Sequence, residues 1–306
     1  MARRFENTFT LDDLAAWSEP GTHLAVLGHP VEHSLSPHMH QAALRVMAEA
    51  DARFAGWHYW KFTVPPAELR SALVRLHQKG FHGVNLTVPH KILALEWVTE
   101  LDPAARVIGA VNTLRRTAAG YAGCNTDGYG LATGLAEDLG RALRGAAVIL
   151  VGAGGAARSA AIECLRQGVG SLWLGNRSRG SLDELLAVVQ PLAGAIPVHH
   201  FLLAAPPPGL PAGALVINAT SAGLHADAPP PFDLRTWPRP AGVYDMIYNP
   251  PQTPLLAEAA HLGIPAANGL SMLVHQGARA LELWTGAPVP AAEMRRAAAA
   301  ALASRL

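Results

Sequence analysis

The 306 residues are half hydrophobic and only 15% charged, with a formal net charge of +1. This is a globular composition long enough for two domains, with no charge excess to attract nucleic acid or a membrane surface, and no apolar run reaches the roughly 18 residues of a membrane span. Cys124 and Cys164 lack C-x-x-C spacing and read as reduced core thiols; the basic Met1-Ala2-Arg3-Arg4 runs into a polar, acidic segment instead of an apolar signal core, so a cytoplasmic protein is expected.

In chain order, residues 1–20 read as an N-terminal extension with a short helical pattern from Leu11 to Trp17. Leu24 to Leu27 is a strand ending at Gly28. The next residues, His29-Pro30-Val31-Glu32-His33, spell H-x-x-E-H, a zinc pattern that works only on a helix. Pro30 and Pro37 make this segment a loop, and no metal site is expected among the chain's 14 histidines. Ser36 as N-cap and Pro37 at the first turn open a helix running through Leu44 and Met47. Trp57 to Val64 is a strand, Pro66 to Gln78 a helix closed by Gly80, Gly83 to Thr87 a strand, and His90 to Val98 a helix. This alternation predicts a small α/β domain with a parallel core. Asn112 to Leu114 and Tyr121 to Gly123 form a hairpin-like pair, and Asp127 to Leu139 is a helix bridging toward the second domain.

Ala147 to Val151 is a short apolar, β-branched run that leads straight into Gly152-Ala153-Gly154-Gly155-Ala156-Ala157, a G-x-G-x-x-A turn, with a helix from Arg158 to Gln167. The first glycine allows the tight bend and the second lets the backbone approach a pyrophosphate. A small third residue packs the helix on the strand, and the helix N-terminus then faces the anion. NAD enzymes place an Asp or Glu about 20 residues on, against the ribose 2′-hydroxyl. Here that place holds Asn176-Arg177-Ser178-Arg179. A guanidinium can pair with a 2′-phosphate that an acid would repel, so the cofactor should be NADP(H). Further strands follow at Leu172 to Leu174, Leu215 to Ile217 and Gly242 to Asp245, with a helix from Ser181 to Val189. Surface loops are expected at Ala205 to Pro211 and Pro229 to Pro231. Helices Ser271 to Thr285 and Ala291 to Ala303 should return to the first domain, giving a substrate domain of residues 1–126 plus 269–306 and a Rossmann-like dinucleotide-binding domain of residues 127–268.

Three polar segments at strand ends are poorly explained by packing: Ser34-Leu35-Ser36, Asn85 to Lys91, and Gly123-Cys124-Asn125-Thr126-Asp127. Ser36 and Asp127 also suit helix N-caps, whereas a cation such as Lys91 is unfavourable at the positive end of a helix. Taken with Gly28-His29-Pro30, Gly109 to Thr113, Asn125 to Gly128, Gly152 to Ala156, Asn176 to Ser178, Asn218-Ala219-Thr220, Tyr244 to Tyr248 and Met272 to Gln276, they closely resemble the shikimate dehydrogenase family over nearly the whole chain after residue 22.

The resemblance implies reversible NADP-dependent reduction of 3-dehydroshikimate to shikimate, in the chorismate and aromatic amino-acid pathway. Carried onto this chain, Lys91 and Asp127 are the catalytic pair. Ser34 and Ser36 grip the carboxylate, and Thr87, Asn112, Asp127 and Gln276 hold the ring hydroxyls with Tyr248 nearby. Gly152, Ala153, Gly154, Gly155, Ala156, Asn176, Arg177, Ser178, Arg179, Thr220, Met246 and Gly269 line the cofactor. One departure is Ser181, where relatives often carry an arginine three residues after the place of Ser178; Arg179 is the available substitute. Alternatives are quinate oxidation with NAD, a cofactor-sensing regulator without chemistry, and a methylene-tetrahydrofolate type of dehydrogenase. Monomer and homodimer both stay open.

Overall fold

The computed structural model describes residues 4–224 and 229–304; Met1, Ala2 and Arg3 of the basic N-terminal tetrapeptide lie outside them. The chain forms two compact units, residues 1–126 with 276–306, and residues 127–275. The sequence suggests residue 269 for the second crossing, whereas the units divide at 276, within a helix.

The first unit opens with β1 (Thr8–Phe9) and α1 (Leu11–Ala15). Thr10 caps α1, its hydroxyl accepting from Asp13 N–H while the Asp13 carboxylate accepts from Thr10 N–H at 2.8 Å. Next come β2 (Thr22–Gly28), α2 (Ser36–Ala50), β3 (Trp57–Thr63), α3 (Leu69–Gln78), β4 (Gly83–Leu86) and the single turn α4 (His90–Leu93). β5 (Glu100–Leu101), α5 (Pro103–Ile108), β6 (Thr113–Arg116) and β7 (Tyr121–Cys124) complete the segment. Its seven strands are ordered β1-β3-β2-β4-β6-β7-β5. β1, β3, β2 and β4 are parallel, and the β6–β7 hairpin joins antiparallel beside β4. On one face Leu27, Phe62, Val84 and Leu114 meet Phe9, Trp17 and Leu76 in one apolar cluster, each fully buried large side chain contributing roughly 1.5–3 kcal/mol.

Two details differ from expectation. Helix α2 begins at Ser36 with Leu35 in the cap position, so Ser36 is its first helical residue and Pro37 its second. The Ser34 hydroxyl instead accepts the Ser36 N–H at 3.3 Å. The stretch after Pro89 is not one helix to Val98: α4 stops at Leu93 and a 3₁₀ turn covers Ala94–Glu96. Ile92, Leu93 and Trp97 are exposed, so no continuous apolar stripe is buried to hold a longer helix.

The second unit starts at α6 (Asp127–Leu139), with Asp127 already inside the helix. It continues through β8 (Ala147–Val151), α7 (Gly155–Gln167), β9 (Ser171–Asn176), α8 (Arg179–Val189), β10 (Val198–Leu202), β11 (Leu215–Asn218), β12 (Gly242–Asp245), α9 (Pro254–His261) and β13 (Ala266–Asn268). The six strands are all parallel in the order β10-β9-β8-β11-β12-β13, the doubly wound dinucleotide-binding topology. Both faces are apolar, as an all-parallel sheet requires: Val148, Leu150 and Ile217 pack with α7 residues Ala157 and Ala160, and Ile149, Val151 and Val216 with Phe232 and Trp237. Helix α10 (Leu270–Thr285) carries the chain from one unit to the other, and α11 (Ala291–Ala303) packs in the first unit. Among the described residues no helix is long and apolar enough to cross a membrane.

Candidate functional site

In the first unit the polar strand ends gather where β2, β4 and the β6–β7 hairpin finish. Leu27 and Leu86 are register partners, and Thr87 N–H donates to the Leu27 carbonyl at 2.9 Å, so Ser34, Ser36 and Thr87 all follow the same edge of the sheet. The Thr87 carbonyl accepts from His90 N–H at 2.8 Å, which folds the chain into α4. Lys91 on that turn is half-buried, and its carbonyl accepts from Val111 N–H at 2.8 Å, tying α4 to the residue before Asn112.

Asn112 is the hub. Its Oδ1 accepts from Thr126 N–H at 2.9 Å, from the Thr113 hydroxyl at 2.9 Å and from the Thr126 hydroxyl at 3.2 Å. Its Nδ2 donates to Thr126 Oγ1 at 2.9 Å and to Gln276 Oε1 at 3.2 Å. The structure therefore brings together Asn112 and Gln276, 164 residues apart in the chain. Helix α10 reaches this place because Trp284 donates its indole N–H to the Leu114 carbonyl at 2.9 Å and lies over Gly83, where a Cβ would collide with the ring.

Four residues given no role from the sequence belong to the same network. The Tyr59 hydroxyl donates to Asn85 Oδ1 at 2.7 Å, and Asn85 Nδ2 donates to the Asn112 carbonyl at 3.0 Å and to Thr113 Oγ1 at 3.1 Å. Burial pushes the Tyr59 hydroxyl well above its ordinary pKa, partly offset by the neighbouring Ser36 side chain. Tyr59, Asn85, Thr113 and Thr126 are all buried. The available signal was Asn85, a lone polar residue in an otherwise apolar strand.

In the second unit the glycine turn lies between β8 and α7, on the side where the strand order reverses between β8 and β11. Gly152 has φ +122° and passes against the Ala219 carbonyl, so only glycine fits there. Gly154 and Gly155 face open space, leaving the N–H groups of the first turn of α7 approachable by an anion. Ala153 and Ala156 are half-buried on either side of them. The residues fit a dinucleotide, with no carboxylate at the end of β9. There Asn176 Nδ2 donates to the Ser178 carbonyl at 3.0 Å, and Ser178 Oγ donates to Ser181 Oγ at 3.0 Å. Arg177 is exposed and makes no ion pair among the described residues, whereas Arg179 pairs with Asp183 at 3.0 Å.

Thr220 follows β11, Met246 and Tyr248 follow β12, and Gly269 follows β13. Asp245, fully buried, accepts from Asn218 Nδ2 at 3.0 Å, Ile247 N–H at 3.1 Å and the Thr253 hydroxyl at 2.7 Å. Burial raises its carboxyl pKa. Asn218 Oδ1 in turn accepts from the Thr220 hydroxyl at 2.8 Å, so one cluster holds both loops. Met246 and Gly269 are brought together, since a Cβ on Gly269 would collide with the Met246 carbonyl. Tyr248 follows on the same loop, half-buried. Asp127 is buried in the first turn of α6, immediately after Thr126. The H-x-x-E-H segment is a turn in which His29 and His33 share no helix face, and among the described residues no group of three or more His, Cys, Asp or Glu could hold a metal ion.

Comparison with known proteins gives these features a context. The family model for the shikimate dehydrogenase substrate binding domain matches residues 26–114, and that for the shikimate 5′-dehydrogenase C-terminal domain matches residues 269–299. A shikimate dehydrogenase (NADP(+)) of Geobacter metallireducens is 40% identical over 284 residues, 91% of this chain and 96% of that protein. The shikimate 5-dehydrogenase of Thermus thermophilus, solved in complex with NADP(H) and shikimate, is 34% identical with a TM-score of 0.80, over 92% of this chain and 100% of that one. A quinate dehydrogenase from Corynebacterium glutamicum in complex with NAD also has a TM-score of 0.80, at 28% identity over 92% of this chain and 99% of that one. Identity of this extent, along nine-tenths of the sequence and on both sheets, places the chain in the shikimate dehydrogenase family.

Proposed function

We propose that the chain catalyses the reversible NADP-dependent reduction of 3-dehydroshikimate to shikimate in the cytosol, serving chorismate and aromatic amino-acid biosynthesis. The observation that carries this reading is the amide- and hydroxyl-rich cluster of the first unit, with Asn112 bonded to Gln276 at 3.2 Å and its neighbour Val111 tied to Lys91 on α4, just past the strand end at Thr87. Such a cluster suits a small polyhydroxylated acid. Ser34 and Ser36 then take the carboxylate; Thr87, Asn112, Asp127 and Gln276 take the hydroxyls, with Tyr248 beside them. The absence of a carboxylate at the end of β9 favours NADP over NAD, with Asn176, Arg177, Ser178 and Arg179 around the 2′-phosphate. Gly152 to Ala156, Thr220, Met246 and Gly269 line the rest of the cofactor.

The nicotinamide supplies or accepts the hydride. Lys91 then serves as the acid–base group on the substrate oxygen: its ammonium stabilises the charge that develops on a reduced carbonyl and gives up a proton, and its neutral amine accepts that proton in the reverse direction. Asp127 supplies the carboxylate that keeps this lysine oriented. Groups of this kind are worth roughly 10²–10⁴-fold. Lys91→Ala is expected to lower kcat by at least about a hundredfold with a much smaller change in shikimate KM, and steady-state kinetics on purified protein check it; an unchanged kcat removes Lys91 from the chemistry. Assaying shikimate and quinate, each with NADP+ and NAD+, tests the function itself. A preference for quinate with NAD+ would replace the reading, and no turnover of either substrate would favour a sensor.

A further inference from the structure

The donor and acceptor roles in the buried network of the first unit are fixed by two backbone groups that have only one role each. Thr126 N–H can only donate, so the Asn112 atom at 2.9 Å from it is Oδ1. Nδ2 then faces Thr126 Oγ1 and Gln276, and the Gln276 atom that receives it must be the carbonyl Oε1. The Asn112 carbonyl can only accept, so the Asn85 atom at 3.0 Å is Nδ2, and Asn85 Oδ1 is left to the Tyr59 hydroxyl. The single Tyr59 hydrogen is thereby committed to Asn85. Asn112 Oδ1 already takes three donors, two of them from the Thr113 and Thr126 hydroxyls. No amide in this network can be flipped without setting carbonyl against carbonyl or N–H against N–H.

We propose that Thr113 and Thr126 are positioning residues that hold the Asn112 amide in one orientation, its two Nδ2 hydrogens going to Thr126 Oγ1 and Gln276 Oε1, and through it keep the Gln276 carbonyl turned to Asn112, so that a ring oxygen of the substrate meets the Gln276 amide N–H in a fixed direction. This rests on the shikimate reading above and adds the device that sets its hydroxyl specificity. An amide held in one orientation before binding loses no rotamer freedom on binding, and a contact made equally to bound substrate and transition state appears in KM, not kcat.

The test is a pair of substitutions at each position in the full-length protein. Thr126→Val and Thr113→Val keep shape but remove the hydroxyl, and each should raise the shikimate KM about tenfold, one hydrogen bond's worth, while kcat stays within about twofold. Thr126→Ser and Thr113→Ser should restore KM to within about twofold of the parent. Oxidation of shikimate by the parent protein with NADP+ checks the underlying reading separately. If one valine variant is poorly folded by circular dichroism, the pair at the other threonine decides the test. An unchanged KM in the valine variants, a rise that serine fails to rescue, or a loss confined to kcat would overturn the proposal.

Discussion

Tyr59 shows how one hydroxyl can both hold the fold and compete with a ligand. It is fully buried, it donates to Asn85 Oδ1, and the Ser36 side chain lies beside its oxygen. The stacked His40 ring, at 4.1 Å and 1° to the Tyr59 ring, keeps the phenol in place. Removing the hydroxyl takes away this donor and leaves a buried carbonyl underpaired, which costs about 1–3 kcal/mol. It also removes the oxygen beside Ser36 that competes for the Ser36 hydrogen whenever Ser36 grips a carboxylate. Tyr59→Phe should therefore lower the thermal midpoint and, against the usual direction for a damaged site, lower the shikimate KM by about two- to fivefold. Calorimetry and initial-rate kinetics on the same preparation decide it; a raised KM would mean that Tyr59 holds Ser36 in its binding pose.

At the scale of elements, the connection from β9 to α8 decides cofactor choice. Its two arginines are not equivalent: Arg179, the first residue of α8, is drawn along the helix to Asp183, four residues on, while Arg177 on the loop is exposed without such a partner among the described residues. Arg177→Ala should raise the NADP+ KM by about tenfold or more and leave NAD+ little changed, since a charge-assisted bond to phosphate is worth about 1.5–3 kcal/mol. Arg179→Ala should cost less, and Asp183→Ala, by releasing Arg179, should tighten NADP+. Equal losses for both cofactors on Arg177→Ala would assign the guanidinium to something other than the 2′-phosphate.

These elements also show what sequence can carry. The β8–α7 turn was legible because glycine spacing, strand before and helix after must coincide for a backbone to meet a pyrophosphate. Only the start of α7 moved, to Gly155, because glycines and alanines carry no cap signal. Ser34, not Ser36, accepts the N–H at the start of α2, a choice set by one residue of loop geometry that composition does not encode. Tyr59 and Thr113 were illegible as site residues: each lies in a buried strand and looks like packing until Asn112, 53 residues beyond Tyr59 in the chain, comes alongside, and Thr126 stood out only as part of a polar segment with no partner assigned. Non-local partners of that kind exist only in the fold.

At the scale of the whole molecule, the two units carry buried titratable groups of opposite sign. The first unit holds the buried His23, His40 and His90 and the half-buried His58, all with pKa values lowered chiefly by loss of solvent; His40 is brought down to about 3, and neither of its ring nitrogens has a hydrogen-bond partner among the described residues. Below pH 6.5 the unfolded chain takes up protons that these folded histidines refuse. Their neutral state is thus no handicap above pH 6.5, and stability is lost progressively as pH falls below it, by about 1.4 kcal/mol per pH unit for each proton refused. For His40 alone that is about 2 kcal/mol at pH 5. In the second unit Asp245 has a raised carboxyl pKa, so acidification through that value relieves a buried charge and adds stability there. Acid should therefore unfold the first unit before the second. Five of the seven tryptophans (Trp17, Trp57, Trp60, Trp97 and Trp284) lie in the first unit, so intrinsic fluorescence follows it. Urea midpoints by fluorescence should fall steadily from pH 7 to pH 5, and His40→Leu should flatten that slope by close to one proton whatever its offset in absolute stability. A slope unchanged by His40→Leu would mean that His40 titrates alike in the folded and unfolded chains, and the acid sensitivity of the first unit would then rest on His23, His58 and His90.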